Sequence, residues 1–109
     1  GGKETEKLIN RTVLNNLGKN GVIINVARGS VIDQEELINC LETNVIAGAG
    51  LDVYTNEPHI PQELINVKNT VLLPHIGSAT VETRIAMGQL VFDNIKAYFD
   101  NKPLITPVV

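Results

Sequence analysis

With 109 residues, 43% of them hydrophobic and 19% charged, the chain has the make-up of a single globular domain, and no apolar run approaches the roughly 18 residues that a membrane span requires. The formal charge is -3 and the isoelectric point lies near 5.3, with the 9 Lys and Arg residues scattered rather than gathered into a stripe, which argues against nucleic acid as a partner. A single cysteine, Cys40, excludes an internal disulfide and points to a reducing, cytoplasmic setting; its expected place is half-buried on a helix.

In chain order, Gly1 and Gly2 lead at once into helix-like sequence with neither an initiator Met nor a signal-peptide pattern, so the chain reads as a piece of something longer. Asn10 is placed to cap a short helix through about Leu17, with Val13, Leu14 and Leu17 on one face and Gly18 where a left-handed C-cap belongs. The run Gly21-Val22-Ile23-Ile24-Asn25-Val26 is β-branched and does not alternate with polar residues. That pattern predicts a parallel strand covered on both faces.

Asp33 followed by Glu36 resembles a capping box, and Leu37, Ile38 and Leu41 give the apolar stripe of a helix to about Glu42. A second strand is predicted near Ile46 to Val53, where the small residues Ala47-Gly48-Ala49-Gly50 invite close approach to the backbone. Tyr54 to Asn69, with Pro58 and Pro61, reads as a long loop holding one helical turn around Gln62 to Ile65; His59 is expected exposed in it. A third strand, Val71-Leu72-Leu73, is stopped by Pro74, which has no N–H to continue a ladder. From about Thr80 a helix of about 20 residues follows, spanning about 30 Å. Val81, Ile85, Phe92, Ile95 and Phe99 predict that it is amphipathic and packed. The proline-rich tail from Lys102 to Pro107 suits neither helix nor central strand.

Strand, helix, strand, loop, strand, helix with unalternating strands is an α/β pattern and reads as half of a doubly wound parallel sheet. Reactive groups in such sheets collect beyond the carboxyl ends of the strands, which singles out Arg28, Asp52, Glu57 and His75. Taken singly, each has a plain structural explanation: a surface ion-pair partner, a turn former, an exposed loop acid and a satisfied loop histidine. Gly48 and Gly50 do not make a dinucleotide fingerprint, because Leu51, Asp52 and Val53 follow and the third glycine is missing.

Three phrases, Asn25-Val26-Ala27-Arg28-Gly29, then Gly48-Ala49-Gly50-Leu51-Asp52-Val53 leading to Glu57-Pro58, then Leu73-Pro74-His75-Ile76-Gly77-Ser78-Ala79-Thr80, closely resemble in order and spacing the C-terminal part of the D-2-hydroxyacid dehydrogenase family. The likeness covers nearly the whole chain. It implies the C-terminal portion of a Rossmann-like NAD(P)-binding domain, with the stretch from about 80 to 109 returning toward a substrate domain. It makes Arg28 the substrate arginine, Glu57 the partner acid and His75 the proton donor. Val26, Ala27, Arg28, Asp52, His75, Gly77 and Ser78 would line the NAD or NADP site, Asp52 matching the acid that contacts the nicotinamide carboxamide.

The implied chemistry accounts for these residue types. Reducing a 2-keto acid moves a hydride to the carbonyl carbon, and the oxygen left behind needs a proton, which a histidine can supply as general acid. A neighbouring carboxylate favours the charged ring and fixes its tautomer, while a fork-shaped guanidinium suits a bidentate grip on the substrate carboxylate. Glu57 argues against the formate dehydrogenase branch, and the stretch Gly77 to Arg84 with the ending Lys102-Pro103-Leu104 looks most like glyoxylate/hydroxypyruvate and hydroxyphenylpyruvate reductases. By the same resemblance the full-length protein is expected to be a homodimer, and the chain alone, lacking the phosphate-binding glycines, a weak binder of cofactor. Two other readings remain: a nucleotide-sensing corepressor-like interaction protein on the same scaffold, and a metal-assisted hydrolase, disfavoured because His59 is the only other histidine and lies in the proline-flanked loop.

Overall fold

The structure, a computed structural model, describes residues 1–108 and divides into two compact units, Gly1–Gly77 and a second beginning at Ser78. The first unit carries a three-stranded parallel sheet in the order β1 (Val22–Asn25), β2 (Gly48–Leu51), β3 (Thr70–Leu72). Between the strands run α2 (Gln34–Glu42) and α3 (Gln62–Asn66), and α1 (Arg11–Leu17) precedes β1. Consecutive parallel strands joined by helical crossovers are the half-sheet that the pattern predicts.

The helices start where the caps allow. Asn10 Oδ1 accepts from the N–H groups of Thr12 and Val13, and Asp33 accepts from the Glu36 N–H. At the end of α2, Asn44 takes a left-handed conformation at φ 54°, and the N–H groups of Asn44 and Val45 return to Leu41 and Cys40 in a Schellman turn. Gly18 has a positive φ of 77° but an extended ψ of 173°, so it turns the chain out of α1 rather than forming the expected left-handed cap.

One face of the sheet is packed. Leu14 of α1, Leu37, Cys40 and Leu41 of α2 and Leu64 of α3 close over Ala49 and Leu51, joined by Ile32, Ile46 and Tyr54. Cys40 is fully buried rather than half-buried, and burial pushes its thiol pKa up. Of the α1 stripe only Leu14 is enclosed; Val13 and Leu17 are each 40% exposed.

The other face is bare, which corrects the expectation of a strand covered on both sides. Strand residues alternate in direction, so Ile23 and Leu72 turn to the core while Ile24 and Val71, the register partners of Gly50, turn the opposite way. Ile24 is 66% and Val71 64% exposed. With Val22, Val26 and Leu73 they line an open apolar groove of about 620 Å³.

In the second unit α4 (Val81–Phe99) is capped by Thr80, whose hydroxyl accepts from the Thr83 N–H, and ends in a Schellman turn around Asn101. Asn94 ties the tail back along this helix, its Oδ1 accepting from the N–H groups of Ile105 and Thr106. The expected packed face is absent: Val81, Ile85, Phe92, Ile95 and Phe99 are all exposed, and Ala97 is the buried residue of the helix. Among the described residues no helix is long and apolar enough to cross a membrane.

Candidate active site

The three connections that leave the carboxyl ends of the strands meet at one rim, and each is shaped by its own polar residue. After β1, Asn25 is 6% exposed and forms an Asx turn: its Oδ1 accepts from the Ala27 N–H at 3.1 Å and its Nδ2 donates to the Arg28 carbonyl at 3.0 Å. The Asn25 carbonyl in turn accepts from the Asp52 N–H. Gly29, just beyond Arg28, is buried against the next connection. A Cβ there would stand 2.0 Å from the carbonyl carbon of Tyr54, so only glycine lets the two backbones pack.

After β2, Asp52 is 5% exposed, and its two carboxylate oxygens accept from the N–H groups of Ile76 and Gly77 at 2.8 and 2.7 Å. The bond from Ile76 is the main cause holding its carboxyl below the usual carboxylate range, against the opposing effect of burial. The acid thus reaches across to the connection that follows β3. There His75 stands in the left-handed region at φ 54°, a conformation uncommon outside glycine, directly before the two amides that Asp52 holds.

Tyr54 begins the long loop that the sequence predicts, and its side chain is buried. Its hydroxyl lies 2.8 Å from the Leu73 carbonyl and 3.1 Å from that of Leu51, and its N–H donates to Glu57 Oε1 at 2.8 Å. Glu57 Oε2 lies 2.7 Å from His75 Nδ1. The hydrogen bond with His75, followed by that from Tyr54, lowers the Glu57 pKa, and the charge of Arg28 adds a smaller push in the same direction. An ionised carboxylate only accepts, so the His75 proton sits on Nδ1 and Nε2 is the free ring nitrogen. A small pocket of about 140 Å³ borders the pair, lined by Tyr54, Pro58, Ile60 and Pro74 as well.

Arg28 stands apart from this pair. Its guanidinium is exposed, bonds the Ala27 carbonyl at 2.6 Å, and faces an open cavity lined by Gly1, Gly2, Ala27 and Ser30. Val26, Ala27 and Gly77 are exposed along the same rim, Ser78 opens the second unit, and His59 is exposed in its loop. The structure therefore joins Glu57 to His75 and Asp52 to the His75 connection, with Arg28 acting on Glu57 through charge. Asn25, Gly29 and Tyr54 carry no role in the sequence reading. Among the described residues no three His, Cys, Asp or Glu side chains gather as a metal site.

A family model for the D-isomer specific 2-hydroxyacid dehydrogenase NAD binding domain matches residues 2–77. A hydroxyphenylpyruvate reductase of Plectranthus scutellarioides is 51% identical over 106 residues, covering 97% of this chain and 34% of that protein. The glyoxylate/hydroxypyruvate reductase A of Arabidopsis thaliana is 50% identical over 107 residues, covering 98% of this chain and 34% of its own length. Among solved structures, an NADPH-dependent glyoxylate/hydroxypyruvate reductase from Sinorhizobium meliloti, in complex with NADP and malonate, superposes with a TM-score of 0.96 at 50% identity, over 100% of this chain and 34% of that one. The chain spans about a third of the length of the relatives it matches.

Proposed function

The chain belongs to the D-isomer specific 2-hydroxyacid dehydrogenase family, as part of its NAD-binding domain, and from that premise we propose that it serves an oxidoreductase that transfers a hydride between NAD(P)H and a 2-keto acid such as glyoxylate or hydroxypyruvate, giving a D-2-hydroxy acid. The observation that carries this reading is the 2.7 Å contact between His75 Nδ1 and Glu57. That contact occupies Nδ1 and leaves Nε2 as the ring nitrogen that exchanges a proton with the substrate. In reduction His75 gives the Nε2 proton to the oxygen of the former carbonyl; in oxidation it takes the proton back. Glu57 holds the ring and balances its charge. Arg28 grips the substrate carboxylate with two parallel N–H donors, a task for which lysine lacks the planar fork.

Val26, Ala27, Arg28, Asp52, His75, Gly77 and Ser78 are the residues we assign to the cofactor. They suit a nicotinamide dinucleotide in two respects. The rim is open at the carboxyl ends of parallel strands, where such ligands bind. Gly77 also carries no side chain beside the Asp52 carboxylate, where a Cβ would stand 3.0 Å from Oδ2. When bound, the cofactor supplies or accepts the hydride. The chain has no G-x-G-x-x-G phosphate loop, so the 109 residues alone bind it weakly in this reading. The stretch from about 80 to 109 returns toward a substrate domain, which agrees with the apolar residues that α4 leaves exposed. A homodimeric, cytoplasmic protein without a nucleic-acid partner completes the proposal; the net charge of -3 and the one buried free thiol support it.

The test is His75→Ala in the whole enzyme, assayed by cofactor oxidation with glyoxylate and hydroxypyruvate. Loss of the proton donor is expected to lower kcat by about 10²- to 10⁴-fold. An unsubstituted enzyme that oxidises neither NADH nor NADPH with any 2-keto acid would end the proposal.

A further inference from the structure

Resting on the reductase reading, we propose that Tyr54 is a positioning residue that sets the His75–Glu57 contact, acting on both partners at once through its hydroxyl and its backbone. The two ends of that contact come from different strands: Glu57 follows β2 and His75 follows β3. Something must fix the separation of these strand ends beyond the last paired residues, Leu51 and Leu72. The Leu73 N–H still reaches the Leu51 carbonyl at 2.8 Å, and past that point the backbone ladder stops at Pro74.

Tyr54 continues the link where the ladder cannot. Its single hydroxyl hydrogen goes to the nearer carbonyl, Leu73 at 2.8 Å, with Leu51 at 3.1 Å sharing it. The Leu51 carbonyl already has the Leu73 N–H, so the Leu73 carbonyl is the one that depends on the tyrosine. Two residues beyond Leu73 stands His75. On the other side, the Tyr54 N–H donates to Glu57 Oε1 at 2.8 Å, which turns Oε2 toward the ring. One residue thereby holds the acid by its amide and the histidine's strand end by its phenol.

The Arg28 connection is registered against the same residue. Gly29 packs on the Tyr54 carbonyl so tightly that any Cβ would collide with it. Tyr54 is 5% exposed and its ring belongs to the core, so the phenol is not free to wander to an alternative partner. A phenylalanine would fill the core equally well. What it would not do is hold the Leu73 carbonyl, and that separates positioning from packing.

The experiment is Tyr54→Phe in the whole enzyme. Misplacement of a reacting group by a fraction of an ångström is expected to lower kcat on the order of tenfold with KM for keto acid and cofactor unchanged. The His75 Nδ1–H resonance, followed by proton NMR with nitrogen labelling of histidine, is expected to move upfield or broaden by exchange as the bond to Glu57 loosens. The proposal is overturned if Tyr54→Phe leaves the resonance in place, or if kcat falls only in proportion to the folded fraction. Should the unsubstituted enzyme reduce no 2-keto acid, the reductase reading fails, while the resonance still decides the role of Tyr54.

Discussion

The rim of the sheet and its bare face are built from the same three strands and behave as opposites. At the rim, Asn25 ties its own turn together, Asp52, Tyr54 and Glu57 each reach a polar group on the segment that follows β3, and no buried side-chain nitrogen or oxygen among the described residues is left without a partner. On the bare face, Val22, Ile24, Val71 and Leu73 have apolar side chains and water. The geometry that serves chemistry is thus self-contained, made by residues a few positions apart in three short segments. The hydrophobic contribution of the open face, about 25 cal/mol for each Å² removed from water, is not realised within this unit. Local polar networks survive where a large apolar surface does not find cover.

That contrast breaks most severely at Gly29. Gly29→Ala places a methyl carbon 2.0 Å from backbone atoms of Tyr54, where no flexible side chain can yield. The expected cost lies at or above the top of the about 1–3 kcal/mol usual for overpacking. The chemical denaturation midpoint measures it. The same variant should lose the His75 Nδ1–H resonance, because the connections carrying Arg28 and Glu57 are pushed apart. A variant with full stability would mean that the rim tolerates separation of its loops.

A smaller effect, with a pH signature, is expected at Asp52. Its pKa is lowered in the folded chain, first by the Ile76 N–H, so the stability it contributes is complete above the ordinary carboxylate value and is lost as pH falls through the lower folded value. Asp52→Asn removes the titration and leaves one of the two amides facing an NH₂ group. Stability at neutral pH should drop, and its decline between about pH 4 and about pH 2 should become shallower. Urea midpoints recorded across that range check the sign. A variant as steep as the parent would assign the acid limb to Glu57 and Asp33, whose carboxyls are lowered too.

Much of this fold was legible in the residues. Caps at Asn10, Asp33 and Thr80 mark helix starts because their side chains replace missing backbone partners locally, and the β-branched runs mark strands for equally local reasons. That Arg28, Asp52, Glu57 and His75 lie beyond the carboxyl ends of strands follows from strand direction alone; that Glu57 and His75 touch while Arg28 stands apart does not. What could not be read is what depends on neighbours distant in sequence. Tyr54 looks like the first residue of a loop until the Leu73 carbonyl is beside it. Gly29 looks like a spacer until Tyr54 lies against it. Asp52 reads as a cofactor-site acid, and nothing in the residues announces that its oxygens also hold the amides of Ile76 and Gly77. The exposure of β1 and α4 in this chain is not legible for a related reason: an apolar pattern records that a surface should be covered and does not say by which segment.

The smallest effect tests the bare face. Val71 stands 64% exposed on β3, while Leu72, one residue on, turns into the core. Val71→Thr keeps the β-branched shape and its strand preference and replaces a methyl by a hydroxyl. Were the face closed, that hydroxyl would lose water without a partner and cost about 1–3 kcal/mol. With the face open it stays hydrated, and the expected change in unfolding free energy of this chain is within about 0.5 kcal/mol. The same change should raise the concentration at which the chain self-associates, since it removes apolar area from an exposed patch. A large destabilisation on dilution to monomer would show that Val71 is buried in solution, and the opposition between rim and face would then be one of chemistry only, with both equally enclosed.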